Sequence, residues 1–275
     1  MPDDAIPDYE PLLAAYHRAF AAELEAMVAS LPIRPGDRVL EMACGDGAYT
    51  GWLADRVDPG GSVVALDLLM GYLRKARAGL ARAEGAGRAR FVAGSIERLP
   101  FADGSFDHAW CAQSLFSLPE PVDAVRRMAR VVRPGGTVAV LEDDTMHQVL
   151  LPWPVDLELA VRSAEWEAFR EESDHPGKFY VGRRLLRVFR EAGLSEIRLS
   201  TYATDRTAPL GPDERAFLGA YLKDLRERVG PWLGTDRRAA LDRLAGPESP
   251  DYLPGSPDLA VTLIDHVVRG RVPGG

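Results

Sequence analysis

A short apolar strand, a glycine turn and a helix follow one another early in the chain, and this unit most constrains the fold. The strand spans residues 39–42, and Gly45 and Gly47 come directly after it. A glycine turn at this place lets the backbone approach a ligand closely, and the next helix presents unpaired N–H groups. The segment therefore predicts a buried strand with a ligand-binding loop at its carboxyl end.

Apolar runs typical of strands alternate with helical periodicity along most of the chain. The predicted strands are residues 39–42, 62–67, 89–94, 106–111, 137–142, 197–202 and 259–268. The predicted helices are residues 9–31, 49–57, 70–83, 121–132, 181–192, 212–229 and 235–244. Near-continuous apolar strands that alternate with helices indicate a parallel sheet covered on both faces. We expect an α/β fold with a doubly wound, mostly parallel, seven-stranded sheet.

The regular alternation stops after Glu142, which indicates how the chain is organised. The 275 residues suit one large α/β domain with an insertion. We predict a single domain, 1–275, with its core at residues 34–142. Helical cap segments are predicted at 1–31, 143–178 and 205–257.

Composition limits the classes of function. A formal net charge of −8 argues against nucleic acid as the partner. No apolar run reaches the roughly 18 residues of a membrane span, and the acidic start lacks the apolar core of a signal peptide. Cys44 and Cys111 fall in predicted buried regions, so we expect reduced thiols. These observations favour a cytoplasmic enzyme without membrane or nucleic-acid partners. We expect a monomer or homodimer, although composition does not indicate which.

Ligands of open α/β sheets bind outside the carboxyl ends of the strands, so candidate site residues follow each strand. Asp67 ends the second strand, 22 residues beyond Gly45. A carboxylate there can accept hydrogen bonds from both hydroxyls of a ribose. The third strand is followed by Gly94-Ser95-Ile96, and the fourth by residues 112–115.

Five ordered motifs then carry a specific resemblance. They are Glu41-x-x-x-Gly45-x-Gly47, Asp67, Leu99-Pro-Phe101, Phe106-Asp107 and Val132-Arg-Pro-Gly-Gly136. In this order they resemble the class I S-adenosylmethionine (SAM) methyltransferases of the small-molecule type, grouped as methyltransferase domains 11 and 25. The resemblance implies a Rossmann-like fold, SAM as cofactor and methyl transfer as activity.

The resemblance also implies contacts to each part of SAM. The glycine turn passes under the methionyl part, and Asp67 holds the ribose. The contacts expected are Glu41, Ala43, Gly45 and Gly47 at the methionyl end, Gln113 and Leu115 at the sulfonium, Asp67 at the ribose, and Leu68, Ser95 and Ile96 at the adenine.

Two positions depart from the family pattern. Ala43 stands where the family carries its first glycine, and we expect it to be tolerated if the backbone there is not at positive φ. Ser95 stands where the family often carries Asp, so a hydroxyl or the backbone would contact the adenine.

The acceptor is constrained by exclusion. Methyltransferases of nucleic-acid exocyclic amines carry Asn/Asp-Pro-Pro-Tyr after strand four, whereas this chain has Gln113-Ser-Leu-Phe116. The apolar, aromatic cap suggests a small, partly hydrophobic acceptor, such as a secondary metabolite or a quinone-like ring. His147 and Asp144 follow strand five and are the candidate catalytic bases. No cluster has metal-ligand spacing, so no metal is expected.

Two other kinds of function remain open from the sequence. One is a SAM-binding enzyme with other chemistry, such as SAM cyclisation or a rearrangement. The other is a nicotinamide-dependent dehydrogenase. It is disfavoured because Thr50 stands where the dinucleotide motif has its third glycine, and because Glu41 would lie near a pyrophosphate.

Overall fold

The computed structural model describes residues 6, 9–81, 87–143 and 148–274. Within these ranges the strands are β1 Arg38–Met42, β2 Ser62–Asp67, β3 Ala89–Ala93, β4 Phe106–Ala112, β5 Val132–Asp143, β6 Val149–Leu150, β7 Ser195–Thr207 and β8 Ala260–Arg271. The α-helices are α1 Glu10–Ala19, α2 Ala21–Ala29, α3 Ala48–Val57, α4 Met70–Leu80, α5 Pro121–Val131, α6 Val155–Glu172, α7 Val181–Glu191, α8 Pro212–Val229 and α9 Thr235–Ala245.

The strands form one sheet in the order β3-β2-β1-β4-β5-β8-β7, and β6 pairs with β8 beyond the end of β5. The first five strands run parallel, and β8 is antiparallel to both β5 and β7. The chain winds outward in opposite directions from β1 and β4, so the crevice for a ligand lies where these two strands end. The expected mostly parallel α/β sheet is confirmed, and the two-residue β6 adds to the seven strands predicted.

Two apolar layers cover the sheet because successive side chains of a strand point to opposite faces. Val39 of β1 packs with α2 and α3, whereas Leu40 and Met42 pack on the face of α5 and α7. Every residue of β1 after Arg38 is buried. The glycine turn is therefore anchored to the centre of the core.

The N-terminal segment forms two helices, where the periodicity predicted one. The break is at Phe20, whose backbone (φ −122°, ψ 21°) leaves the helical region. Phe20 is buried with its ring 5.2 Å from that of Phe217, and the Arg206 guanidinium lies 4.8 Å from its centroid. This packing outweighs local helix propensity. It directs α1 along α8 and α2 against α3.

The C-terminal half supplies α6 to α9 and the antiparallel strand β8, which lies between β5 and β7. The segment predicted as a helical insertion contains β6, α6 and a 3₁₀ turn at Pro176–Tyr180. A buried ion pair within α6, between Arg162 and Glu165, extends to Arg228 of α8. In the part of the chain that the structure describes, no helix combines the length and apolarity needed to cross a bilayer.

Candidate functional site

The carboxylate of Asp67 lies at the end of β2 and holds the glycine turn. Its Oδ2 accepts a hydrogen bond from the Gly45 N–H at 2.9 Å, and its Oδ1 accepts one from the Leu69 N–H at 2.8 Å. Burial raises the pKa of Asp67, and these N–H groups oppose the rise. Each oxygen keeps a further lone pair. Asp67 can therefore accept hydroxyl donors while it holds the turn.

The two glycines of the turn serve different needs. Gly47 has φ +84°, and a Cβ there would lie 2.7 Å from the Cβ of Ala76 in α4. Gly45 has φ +52°, and a Cβ there would meet nothing within 4 Å. Glycine at 47 thus allows α3 and α4 to pack closely, whereas the space beside Gly45 is open to a ligand.

Ala43 lies at φ +53°, so the condition under which we expected alanine to be tolerated there is not met. The left-handed conformation costs a residue with a Cβ about 1–2 kcal/mol. Gln113, at the end of β4, has φ +49°. Strained backbone of this kind clusters at functional sites. The two residues follow the adjacent strands β1 and β4, at the crevice described above.

The side chain of Glu41 is turned into the protein. It is 1% exposed and accepts a hydrogen bond from the Thr50 hydroxyl of α3 at 2.5 Å. Burial raises the pKa of Glu41 to about 8, although the hydrogen bond from Thr50 lowers it. At neutral pH the Glu41 carboxyl is thus mostly protonated and links β1 to α3.

Glu142, which the sequence analysis did not single out, fastens the loop after β4. Its Oε1 accepts hydrogen bonds from the backbone N–H groups of Ser114 at 2.9 Å and Leu115 at 2.5 Å. Burial and the charge of Asp143 raise its pKa to about 8. A carboxylate directly after a buried strand was the available signal, because the strand-end rule applies to β5 as it does to β2.

The predicted sulfonium-side residues occupy this loop. The Gln113 N–H donates to the Leu141 carbonyl at 2.8 Å, and its side-chain Oε1 is buried without a partner among the described residues. Leu115 is fully buried and packs with residues of α5, so its side chain is not accessible. The loop thus offers one unpaired amide oxygen at the end of β4.

The residues predicted to contact adenine lie past β2 and β3. Leu68 is 57% exposed, which is unusual for a leucine beside a buried strand. Ser95 Oγ accepts a hydrogen bond from the Glu97 N–H and so caps the 3₁₀ turn that begins at Ile96. Ile96 is buried. Of the three, Leu68 therefore offers the exposed apolar side chain next to Asp67.

Asp144 and His147, the predicted catalytic bases, lie outside the described residues. The described end of β5 brings Asp143 opposite Asp265 of β8. Asp265 is buried and accepts a hydrogen bond from the Tyr16 hydroxyl of α1 at 2.9 Å. Burial raises its pKa to about 6, and the bond from Tyr16 opposes the rise. The contact between Tyr16 and Asp265 was not predicted from the sequence, because the two residues are 249 positions apart.

The first helix also meets the glycine turn. His17 Nδ1 lies 3.2 Å from the carboxylate of Asp46, the residue between the two glycines. The His17 ring meets the Tyr49 ring edge-on, with the ring centroids 5.3 Å apart. Burial raises the pKa of Asp46, but the hydrogen bond and charge of His17, the Ala48 N–H and the charge of Arg18 together lower it, so the net shift is downward. No group of three metal-ligating side chains occurs in the described ranges. Through His17, α1 thus adds hydrogen-bonding groups beside the glycine turn.

This arrangement suits SAM. The Asp67 carboxylate can accept hydrogen bonds from a ribose diol. The exposed Leu68 side chain can pack against an apolar base, and the open space at Gly45 can hold a ligand chain that crosses the turn. Residues 40–140 match the family model described as a methyltransferase domain. Over 110 residues the chain is 41% identical to the ubiquinone/menaquinone biosynthesis C-methyltransferase UbiE of Ectopseudomonas mendocina, a match that covers 40% of this chain and 43% of that protein. The chain belongs to the class I SAM-dependent methyltransferases.

Two further relatives align with a larger part of this methyltransferase. An uncharacterized 37.1 kDa protein in transposon TN4556 of Streptomyces fradiae is 30% identical over 276 residues, which cover 98% of this chain and 74% of that one. The demethylmenaquinone methyltransferase of Geobacillus kaustophilus is 28% identical over 191 residues, 65% of this chain and 79% of that one. The family membership makes the protein an enzyme with SAM as its cofactor, and it sets aside the nicotinamide-dependent alternative.

Solved structures match the fold of the methyltransferase at low identity. The YcgJ protein of Bacillus subtilis superposes with a TM-score of 0.57 at 19% identity, covering 93% of this chain and 100% of that one. The [4+2]-cyclase SpnF superposes with a TM-score of 0.52 at 22% identity, covering 93% of this chain and 82% of that one. At these identities the likeness concerns the fold alone.

Proposed function

We propose that the protein transfers the methyl group of SAM to a small, partly hydrophobic molecule that carries a quinone-like ring. Two of the curated relatives are named as methyltransferases of ubiquinone or menaquinone biosynthesis. The aligned part spans 43% of UbiE, so the acceptor is inferred from the site of this chain as well. That site has an apolar side formed by aromatic rings.

The observation that carries the proposal is an aromatic wall beside the loop after β4. The wall consists of Phe116, Trp166, Phe169, Phe179 and Tyr180. The rings of Phe169 and Phe179 stack with centroids 4.0 Å apart, and Phe116 lies 6.5 Å from Phe179. Phe169 and Phe179 are buried, whereas the other three are partly accessible. Aromatic faces of this kind favour offset or edge contacts with a planar ring.

The described contacts also support a placement of the cofactor. In this proposal Asp67 holds the ribose diol and Leu68, Ser95 and Ile96 border the adenine. Ala43, Gly45 and Gly47 lie beneath the methionyl part, and Gln113 and Leu115 lie near the sulfonium. Glu41 acts through Thr50, by positioning the helix that follows the turn.

SAM supplies an activated methyl group, and the chain's residues supply alignment. The bond from sulfur to the methyl carbon breaks as the acceptor atom forms its own bond to that carbon, and the acceptor loses a proton. For an acceptor hydroxyl, we keep Asp144 and His147 as the proposed proton acceptors, because they follow β5 directly. An acceptor that is already anionic needs neither.

The test is formation of S-adenosylhomocysteine (SAH) by the purified protein from SAM and a panel of acceptors. The panel contains a 1,4-naphthoquinol without a ring methyl, a catechol and a primary amine. We expect SAH with the first or second, together with the methylated ring compound. Turnover of the amine alone would contradict the proposal, and release of methylthioadenosine instead of SAH would indicate non-methylating chemistry.

Variants of the wall connect that activity to the structure. We expect Phe116→Ala and Trp166→Ala to raise the acceptor KM about tenfold without changing SAH affinity. Trp232, 40% exposed and outside the wall, provides the control Trp232→Ala, which we expect to change neither. Trp153, which lies in the predicted cap segment 143–178, is 8% exposed and packs in the core. Unchanged KM in the two wall variants would overturn the placement of the acceptor.

The proposal includes the cytoplasm as the compartment and a monomer or homodimer as the working form. The described cysteines, Cys44 and Cys111, are buried free thiols, as a reducing compartment permits. Mass photometry of the purified protein tests the oligomeric part.

A further inference from the structure

Eight buried side-chain polar atoms have no partner in the described part of the chain, and two of them belong to spatially adjacent residues that flank the glycine turn. The two are Nε2 of His17 and the hydroxyl oxygen of Tyr49. His17 is 8% exposed and Tyr49 is 4% exposed. A buried polar group without a hydrogen bond costs about 1–3 kcal/mol, so two such atoms in touching rings indicate a missing ligand group.

The hydrogen-bonding state of His17 limits what that group can be. Its Nδ1 lies 3.2 Å from the Asp46 carboxylate, which only accepts, so the Nδ1 of a neutral ring carries the proton. Nε2 then presents a lone pair and acts as an acceptor. Tyr49 hydroxyl can accept as well. The pair therefore suits a ligand that donates hydrogen bonds.

The surrounding charge points in the same direction. Burial raises the pKa of the Tyr49 hydroxyl well above the usual range, and the nearby carboxylates of Asp265, Asp46 and Asp143 raise it further. A negative field at unpaired acceptors favours a cationic donor over an anion. SAM carries one such group outside its sulfonium, the α-ammonium of its amino-acid end.

We propose that His17 and Tyr49 form the subsite for the α-ammonium of the cofactor, with His17 held in place by Asp46. Glu41, which the sequence placed at this end, is turned to Thr50. The first helix thus takes part in cofactor binding, through a residue outside the family motifs. The inference rests on SAM as cofactor and on its placement over the glycine turn, and it is independent of the acceptor.

Three nucleosides distinguish the binding of the amino group from the binding of the rest of the ligand. SAH carries the ammonium and the carboxylate, S-adenosyl-3-thiopropylamine carries the ammonium alone, and methylthioadenosine carries neither. Their dissociation constants are measured by calorimetry for the wild type and for His17→Phe, which keeps a ring. We expect His17→Phe to weaken the first two about 10- to 100-fold and to leave methylthioadenosine within twofold.

His108 offers a matched control. It is also buried, its Nε2 lies 3.0 Å from Asp37, and its Nδ1 is likewise unpaired among the described residues. It lies near the amino end of β4, away from the glycine turn, so we expect His108→Phe to change none of the three constants. If His17→Phe does not fold, Tyr49→Phe removes only one oxygen, and we expect a loss of about 3- to 10-fold for the two amines.

Several outcomes would overturn the subsite. Equal weakening of all three nucleosides would mean that His17 only supports the turn. Weakening of SAH but not of the propylamine would assign the residues to the carboxylate. No change in either variant would remove them from the site. A wild type that binds none of the three would refute the cofactor placement itself, whereas an inactive acceptor panel would leave this result standing.

Discussion

Replacement of Gly47 by alanine tests how closely α3 and α4 must pack for the turn after β1 to form. An added Cβ would lie 2.7 Å from Ala76 Cβ and 3.1 Å from Ala76 Cα, at a φ of +84°. The left-handed backbone costs alanine about 1–2 kcal/mol, and overpacking adds about 1–3 kcal/mol. The loss of unfolded-state entropy returns about 0.4–1 kcal/mol. We therefore expect Gly47→Ala to lower the free energy of unfolding by about 3 kcal/mol.

Gly45→Ala separates the steric part of this loss from the backbone part. Gly45 has φ +52°, and a Cβ there would meet nothing within 4 Å. Only the conformational terms remain, so we expect a loss of about 1 kcal/mol. Because the space beside Gly45 is proposed to hold the cofactor, we also expect Gly45→Ala to weaken SAH binding.

The assay is urea unfolding followed by circular dichroism for both single variants, Ala76→Gly, and the double variant of positions 47 and 76. Removal of the Ala76 methyl relieves the shorter contact, so we expect a favourable coupling of about 1–2 kcal/mol in the double-mutant cycle. Equal losses at positions 45 and 47, or strictly additive effects at 47 and 76, would refute the claim that helix packing requires this glycine.

Three further predictions concern the buried carboxyl groups. We expect Asp67→Asn to weaken SAH binding at least tenfold in calorimetry, because the amide can accept from only one of the Gly45 and Leu69 N–H groups; unchanged affinity would contradict this. The folded-state pKa of Asp265 is raised from 3.8 to about 6, so the stability that its protonation contributes is present below about pH 4 and lost as pH rises through about 6. Between pH 4 and pH 7, we accordingly expect the free energy of unfolding of Asp265→Asn to rise relative to that of the wild type by about 2 kcal/mol. A pH-independent difference would refute the shift. We expect Glu142→Ala to lower the free energy of unfolding by about 3 kcal/mol, because two buried N–H groups lose their acceptor, and Glu142→Gln to cost less than about 1 kcal/mol at pH 7, since the carboxyl there is mostly protonated; equal losses would show that the charge matters.

The sheet and the glycine turn were predictable because their signals are local. Apolar runs marked β1, β2, β4 and β5, and the 22-residue spacing from Gly45 to Asp67 corresponds to a hydrogen bond. A strand buried on both faces leaves a continuous apolar pattern, which needs no knowledge of its neighbours.

The parts that the sequence did not reveal depend on distant partners. The break at Phe20 follows from packing against Phe217, which is nearly 200 residues away. The φ of +53° at Ala43 has no signal in a residue type that favours helices. The Tyr16–Asp265 pair joins the first helix to the last strand, and neither residue belongs to a motif.

The position of β8 has a consequence for the order in which the protein matures during translation. β8 is synthesised after the other described strands, yet it lies between β5 and β7 and provides the only strand pairing of β7 among the described residues. While the ribosome still holds residues 260–271, β7 has no place in the sheet and the Tyr16 hydroxyl has no Asp265 to meet. A prematurely released chain that ends before residue 260 is thus expected to expose an unpaired 13-residue strand and to be a substrate for chaperones and proteases.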